Sequence, residues 1–231
     1  MSWAERAADR SPVVHRTRSR SIQQAKVLLD AARRLIGVKG GRFTTQELVK
    51  EAGVSMKTFY LHFAGKDQLL VALIEDMTTE EVARYEEAAR DLPDPFARLR
   101  HHIMAVLSLV EVDEGARAGA RFVTSEHWRL HQLFPEEMTR ASKPYVDLLA
   151  RELRAAQEAG LLPPTDIERA AVMVTRLVMS VFHHQAFSVT GTSAEEMGEY
   201  LWEFCLGGLR RGSGTWSDGA GRAARSATAV G

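Results

Sequence analysis

The run FTTQELVKEAGVSMKTFYLHFAGKDQLL, residues 43–70, constrains the fold more than any other part of the chain. It predicts a helix, a tight turn and a second short helix. Thr44 can cap the first helix, and Glu47 three residues later completes a capping box. Gly53 stands where a helix C-terminus favours a residue that tolerates positive φ. The run is therefore typical of a helix-turn-helix.

The second helix of this pair is predicted from residue 56 to about residue 62, with Ser55 as its N-cap. Phe59 and Phe63 are four residues apart, so they share a face and point inward. An exposed polar set on the other side of a basic helix suits a DNA major groove. The residues left to face outward are Met56, Lys57, Thr58, Tyr60 and His62.

This stretch resembles the TetR family of bacterial transcriptional regulators. The pattern that carries the resemblance is Gly-Val-Ser, then Thr-Phe-Tyr-x-His-Phe, then Gly-Lys-Asp-x-Leu-Leu, within residues 53–70. The resemblance covers residues 22–73, and the rest of the chain fits the family by length and helicity alone. It implies an all-α fold of about nine helices. These would form an N-terminal three-helix DNA-binding head and a larger C-terminal bundle for ligand binding and dimerisation.

Charge divides the chain in two, although its net charge is zero. Residues 1–66 carry 13 Lys and Arg against 5 Asp and Glu, whereas residues 67–231 carry 17 against 25. A basic head joined to an acidic body is what a DNA-binding protein with a separate regulatory domain needs.

Composition excludes several classes of protein. The single cysteine, Cys205, forbids an intrachain disulfide and argues against a cysteine-based zinc site. No apolar run approaches the ~18 residues of a membrane span. The N-terminus has no apolar signal core, so we expect a cytoplasmic protein. We predict no cofactor, no metal and no catalytic residue.

Helical periodicity extends through most of the chain, and strand signals are almost absent. The first helix is predicted from Ile22 to about Val38, and the fourth from Lys66 to about Ala89. Ser142 and Pro144 indicate the start of a later helix, with proline in the first turn. The helices predicted after the fourth span 95–112, 115–133, 143–159, 166–189 and 194–209.

The predicted domains are a flexible basic arm at 1–21, a helix-turn-helix domain at 22–66, an effector-binding and dimerisation domain at 67–209, and a disordered tail at 210–231. Arginines alternate with small residues in the arm. This segment either contacts DNA phosphates or the minor groove, or is simply a solvated terminus.

The resemblance implies DNA-binding roles for particular residues. Side chains near the base edges would read sequence, and side chains on the backbone would set register and affinity. The base-reading candidates are Gln46, Met56, Lys57 and Thr58. The phosphate candidates are Thr45, Tyr60, His62 and Lys66, with Arg18 and Arg20 in the arm.

One head covers only half of a palindromic operator, so specific binding needs a twofold dimer. The helices at 166–189 and 194–209 carry apolar stripes that are too broad for packing on one side. The resemblance implies that they form a four-helix dimer bundle. The alternative is that both stripes face the monomer core.

The resemblance also implies a small-molecule cavity in the body, since bundle interiors often bind ligands. From its methionine, aromatic and cationic candidates we expect a largely apolar effector with one polar or anionic end. The candidates for lining this cavity are Met104, Leu107, Arg121, Phe122, Trp128, Met173, Arg176, Leu177, His183 and Phe187.

Two alternatives stay open from the sequence. One is a ligand-independent DNA-binding protein, whose body would hold no effector cavity. The other is a metal-dependent enzyme, because His127 and His131 are four residues apart and share a predicted helix face. No matching carboxylate or metalloprotease motif accompanies this pair.

Overall fold

The computed structural model describes residues 12–187 and 192–211, and every regular element in them is helical. The all-α prediction is confirmed, and the described part of the chain holds nine α-helices. A short 3₁₀ turn, Gly40–Arg42, follows the first of them. The helices are α1 Pro12–Lys39, α2 Thr45–Ala52, α3 Met56–His62, α4 Lys66–Ala89, α5 Pro95–Val112, α6 Glu114–Leu133, α7 Pro135–Glu158, α8 Ile167–Phe187 and α9 Ala194–Arg210.

The described residues form two compact units, and their limits differ from the predicted boundary at residue 66. The head unit comprises residues 12–76 and 121–141, and the body unit comprises residues 77–120, 142–187 and 192–211. The divisions fall inside α4, α6 and α7. The second half of α6 therefore belongs to the same unit as the helix-turn-helix.

Helix α1 begins at Pro12 rather than at Ile22, so residues 12–21 of the predicted arm are helical. Proline suits the first turn of a helix because its missing N–H would have no partner there. Ile22 is 59 % exposed, and the buried face of α1 starts only at Leu28. Residues 1–11 of the predicted arm and residues 212–231 of the predicted tail lie outside the described residues.

The core of the head unit is built from α1 to α4 together with α6. Arg33 of α1 donates to Asp76 of α4 at 2.7 Å, which joins two of these helices at the edge of the core. Almost every core side chain is aliphatic or phenylalanine, so the stability of the unit comes chiefly from apolar burial. The main buried residues are Leu28, Ala32, Ile36, Phe43, Leu48, Phe59, Leu69, Leu70, Leu73, Phe122 and Leu130.

The start predicted for α7 is wrong. The helix begins at Pro135, and Pro144 lies inside it. Pro135 occupies the first helical position, where no N–H is needed, and the Phe134 carbonyl accepts from the Met138 amide at 2.9 Å. Pro144 removes one backbone hydrogen bond from the helix interior but does not end the helix.

The body unit packs the remainder of α4 with α5, α7, α8 and α9 around one apolar core. Helix α5 starts as its LPDP sequence predicts, with the Asp94 carboxylate accepting from the Ala97 amide at 2.9 Å. Helices α5 and α9 approach closely at Gly198, where an added Cβ would lie 2.5 Å from the Met104 sulfur. Met104 is therefore packed against a helix backbone. No helix in the described ranges is long and apolar enough to cross a membrane.

Candidate nucleic-acid interface

The predicted capping box at the start of α2 is present. The Thr44 hydroxyl accepts from the Glu47 amide at 3.2 Å, and the Glu47 carboxylate accepts from the Thr44 amide at 2.7 Å. Lys39 Nζ lies 2.5 Å from the same carboxylate. These donors, with Lys39 the largest influence, lower the pKa of Glu47 to about 2. Local hydrogen bonds thus fix the start of α2. We call α2 and α3, the two helices of the helix-turn-helix, the reading pair.

The turn between α2 and α3 depends on Gly53, whose φ is +65°. Its amide donates to the Lys50 carbonyl at 3.2 Å, and the Val54 amide donates to the Val49 carbonyl at 3.0 Å. This pair of bonds is a Schellman motif, which satisfies the last carbonyls of a helix and turns the chain. The turn therefore sets the direction in which α3 leaves α2.

Helix α3 matches its predicted limits, and Ser55 caps it by accepting from the Thr58 amide at 3.0 Å. The two hydroxyls of Ser55 and Thr58 are also 2.9 Å apart. The Thr58 hydroxyl therefore has a partner at the start of α3. Phe59 is fully buried, whereas the neighbouring Tyr60 is 59 % exposed.

The predicted DNA-binding residues of α2 and α3 all lie in the head unit. Their side chains differ in how much they are exposed to solvent. Gln46, Lys57 and Tyr60 are exposed, and Arg18 and Arg20 are exposed on α1. The half-buried members of the predicted set are Thr45, Met56, Thr58 and His62. The ring Nε2 of His62 lies 3.5 Å from the Gln24 side-chain oxygen of α1.

Lys66 has partners that the phosphate-binding prediction did not include. Its ammonium donates to the carbonyl of Gly41 at 2.5 Å and to the carbonyl of Phe43 at 2.6 Å. The same nitrogen lies 4.4 Å from the centroid of the Phe43 ring. Burial lowers the pKa of Lys66. The sequence could not reveal these contacts, because the two carbonyls belong to a connection that precedes α2.

The first turn of α4 is tied to the part of α6 in the same unit. Arg129 donates to Asp67 at 2.8 Å and to Glu126 at 2.8 Å. The hydrogen bond from Arg129 lowers the pKa of Asp67, and Asp67 in turn raises the pKa of Arg129. The Gln68 side chain accepts from the Ala64 amide at 2.6 Å, which ties the first turn of α4 to the chain just before the helix.

The predicted effector residues have different surroundings in the described part of the chain. Only Met173 and Leu177 line the groove found in the body unit, which has a volume of about 590 Å³. Leu107 is fully buried in the core, and Phe187 is 54 % exposed. Trp128 is 69 % exposed, which is inconsistent with an interior lining role. Of the others, Phe122 is buried in the head unit, His183 is half-buried, and Arg121 and Arg176 are exposed.

The groove lies between α8 and α9 and is mainly apolar. Phe204 lines it and is 63 % exposed. Tyr200, one turn earlier on α9, is 74 % exposed. No role was predicted for Tyr200, although its spacing of four from Phe204 puts the two side chains on one face of α9. The remaining groove residues are Thr165, Asp166, Arg169, Ala170, Val174, Cys205, Gly208 and Leu209.

The pairs His127–His131 and His101–His102 differ in their surroundings. His127 and His131 stack with ring centroids 6.0 Å apart, but no group of three or more metal-binding side chains occurs among the described residues. His102 is 1 % exposed, and its Nδ1 has no hydrogen-bond partner within the described structure. Burial, reinforced by the nearby positive charges, lowers the pKa of His102 to about 4.

Comparison with known proteins agrees with this architecture. Residues 28–73 match the family model of bacterial regulatory proteins, tetR family. The regulator EthR of Mycolicibacterium smegmatis is 27% identical over 145 residues, which are 62% of this chain and 64% of EthR. The regulator TtgR of Pseudomonas putida is 27% identical over 169 residues, which are 69% of this chain and 79% of TtgR.

Solved structures share the fold. FadR from Bacillus subtilis in complex with stearoyl-CoA has a TM-score of 0.63 at 19% identity, covering 80% of this chain and 98% of that one. RolR in complex with resorcinol has a TM-score of 0.63 at 16% identity, covering 83% of this chain and 89% of that one. EthR and TtgR are transcriptional regulators and not enzymes. The chain belongs to the TetR family of bacterial transcriptional regulators.

Proposed function

We propose that this regulator is a ligand-responsive repressor that binds a palindromic operator as a dimer. The observation that carries the proposal is the reading pair itself. A Schellman turn at Gly53 and the Ser55 cap orient α3 so that Lys57 and Tyr60 are exposed on a basic unit. In helix-turn-helix proteins the second helix enters the major groove, with its N-terminal residues at the base edges.

Base reading is assigned to α3 and the start of α2. Lys57 can donate to guanine, and Gln46 can hydrogen-bond adenine. Met56 and the Thr58 methyl can contact a thymine methyl. Thr45, Tyr60, His62, Arg18 and Arg20 remain candidates for the phosphates.

The dimer is assigned to the face formed by α8 and α9. Met173, Tyr200 and Phe204 leave apolar surface on this face, and the groove between the helices is lined mainly by apolar side chains. Contiguous apolar surface of this kind is typical of subunit interfaces. A twofold dimer through these helices provides the two heads that a palindrome requires.

The proposed effector is largely apolar with one polar or anionic end. The fold relative FadR was solved with stearoyl-CoA, which joins a long apolar acyl chain to an anionic coenzyme A group. Within the body unit, Met104 and Leu107 lie on the same helix as His102, whose Nδ1 has no partner in the described structure. Helix α4 contributes residues to both units, so it is our candidate for linking effector binding to DNA release. Typical couplings between two such sites are about 1–3 kcal/mol.

The test is selection of fragments from the genome that encodes the protein, at several salt concentrations. Recovery of an inverted repeat supports the proposal and supplies the probe for an effector screen. Weak binding to all fragments that disappears at physiological salt contradicts it, because non-specific affinity is dominated by phosphate contacts. If the repeat is found but no compound releases it, the ligand-independent alternative takes the place of the repressor with an effector.

A further inference from the structure

The geometry points to a positioning role for Lys66. We propose that its ammonium holds the connection between α1 and α2, and so sets where the reading pair begins, instead of binding a DNA phosphate. The DNA-binding part of this inference rests on the proposed function. The contacts of Lys66 within the protein do not depend on it.

The Lys66 ammonium already has protein partners on several sides. An ammonium has three donors, and two of them are used by the Gly41 and Phe43 carbonyls at 2.5 and 2.6 Å. The Phe43 ring lies on a further side, with its centroid 4.4 Å from Nζ, which is within the range of a cation–π contact. Two of its three donors are therefore used to hold the protein chain rather than being available to a phosphate.

The connection that Lys66 holds is short and leads directly into the reading pair. It passes through Gly40, whose φ is +60°, and ends at Phe43, which is 1 % exposed. The next residue is Thr44, the N-cap of α2. Carbonyls at the end of a helix lack intrahelical partners. Lys66 supplies partners for two carbonyls of this connection, at a point where a small shift would move the start of α2.

Negative groups of the same unit balance the half-buried ammonium. A Cβ added at Gly41 would lie 3.1 Å from Glu126 Oε1, so this carboxylate borders the connection. Both Glu126 and Asp67 favour the charged form of Lys66 and oppose the effect of its burial. The surroundings of Lys66 therefore form a structural charge site inside the head unit rather than a cation directed only at solvent.

The decisive experiment compares the salt dependence of DNA binding for wild type and Lys66→Met. Methionine keeps the apolar stem and removes all three donors. The probe is the inverted-repeat fragment recovered by genomic selection, with random-sequence DNA of equal length as the non-specific comparison. Active protein is counted by stoichiometric titration well below the melting temperature, so that an unfolded fraction does not mimic weak binding. Lys50→Met removes an exposed lysine of α2 as the matched control.

A positioning role predicts that Lys66→Met binds the inverted repeat roughly tenfold more weakly and loses part of its preference over random DNA. The slope of log Kd against log salt should stay at the wild-type value. A phosphate contact predicts the opposite pattern: a slope smaller by about 0.9 for each head, with the preference for the repeat preserved. That pattern, or unchanged binding of the repeat, overturns the proposal.

A second measurement without DNA keeps the inference falsifiable if genomic selection finds no operator. Amide hydrogen exchange of residues 43–48 should be at least several-fold faster in Lys66→Met than in wild type, while exchange in α8 is unchanged. If the amides of residues 43–48 exchange equally slowly in the two proteins, the proposed positioning role of Lys66 is overturned, whatever DNA the protein binds. Failure to find an operator would instead count against the proposed function.

Discussion

Arg129 of α6 and Asp67 in the first turn of α4 form an ion pair of 2.8 Å within the head unit. The two residues are 62 positions apart in the sequence. Glu126, one turn before Arg129, shares the same guanidinium at 2.6 Å. This cluster joins the second half of α6 to the helix that follows the reading helix, although the predicted boundary at residue 66 placed α6 in the effector domain.

Arg129→Met should lower the free energy of unfolding by about 0.5–1 kcal/mol, because the pair is partly exposed and surface ion pairs contribute little. Urea denaturation at low salt measures this change, and 0.5 M salt should reduce it. Arg140→Met is the matched control. Arg140 also lies in the head unit, but its ion pair with Glu137 is longer, at 3.5 Å. An equal loss in both variants would contradict a specific role for the cluster.

Gly53→Ala should destabilise the protein by about 1–2 kcal/mol, because a side chain disfavours the left-handed backbone that the turn requires. Gly37→Ala is the control: Gly37 lies inside α1 with no atom within 4 Å of an added Cβ. That change should stabilise by about 0.5–1 kcal/mol, the helix preference of alanine over glycine. Thermal melts of both variants check the prediction, and two changes of the same sign would refute it.

Stability should fall in mild acid because of His102. Its pKa is about 4 in the folded protein, below its ordinary value of 6.5, owing to burial and then to His101, Arg151 and Arg98. The unfolded chain binds the proton more readily, so the penalty is absent above pH 6.5 and grows as the pH falls toward 4. It amounts to roughly 3 kcal/mol at its full extent.

The measurement for this effect is the free energy of unfolding between pH 7.5 and 4.5 for wild type and His102→Gln. The substitution should flatten the pH dependence, even if it lowers stability at neutral pH. His184→Gln, which removes an exposed imidazole without opening the core, should keep the wild-type profile. A His102→Gln profile as steep as that of wild type would assign the pH dependence to other groups.

A charge on the α8–α9 face should break the proposed dimer. Phe204→Glu is expected to shift the protein from dimer to monomer at micromolar concentration, because an unpaired carboxylate would be buried in the interface. Sedimentation velocity measures the mass. Trp128→Glu, at another exposed large side chain, should remain dimeric. A dimer that persists in Phe204→Glu would exclude this face.

Lys57→Ala and Tyr60→Ala should affect DNA binding in different ways. The loss of Lys57 should change the preferred base at one or two positions, at about 1–3 kcal/mol for each lost base contact. The loss of Tyr60 should weaken binding to all sequences by a similar factor. Binding to a library of single-base operator variants separates the two, and uniform weakening by Lys57→Ala would make it a phosphate contact.

Local signals made much of the head predictable from sequence. The capping box at Thr44, the turn at Gly53 and the cap at Ser55 each depend on residues no more than five positions apart, and all three are confirmed. The limits of α4 were also predicted correctly at Lys66 and Ala89. In these places chemistry and spacing are sufficient, because the partners are neighbours in the chain.

The errors have two physical sources. One source is proline, which occurs both at helix starts and within helices. Pro12 and Pro135 begin helices, whereas Pro144 lies within one, and the neighbouring residues alone do not distinguish these cases. The other source is long-range contact. The sequence does not show the carbonyls to which Lys66 donates or the exposure of Trp128, so neither feature could enter the roles predicted for these two residues.

The most direct test of the account is the mass of the protein–DNA complex on the inverted repeat, measured by sedimentation equilibrium with the fragment from genomic selection. The account predicts two chains per fragment, or a multiple of two. It also predicts half-site centres separated by one helical turn, about 10–10.5 base pairs, or by a multiple of that distance. A single chain bound with full affinity to one isolated half-site would contradict the dimeric regulator proposed for this chain.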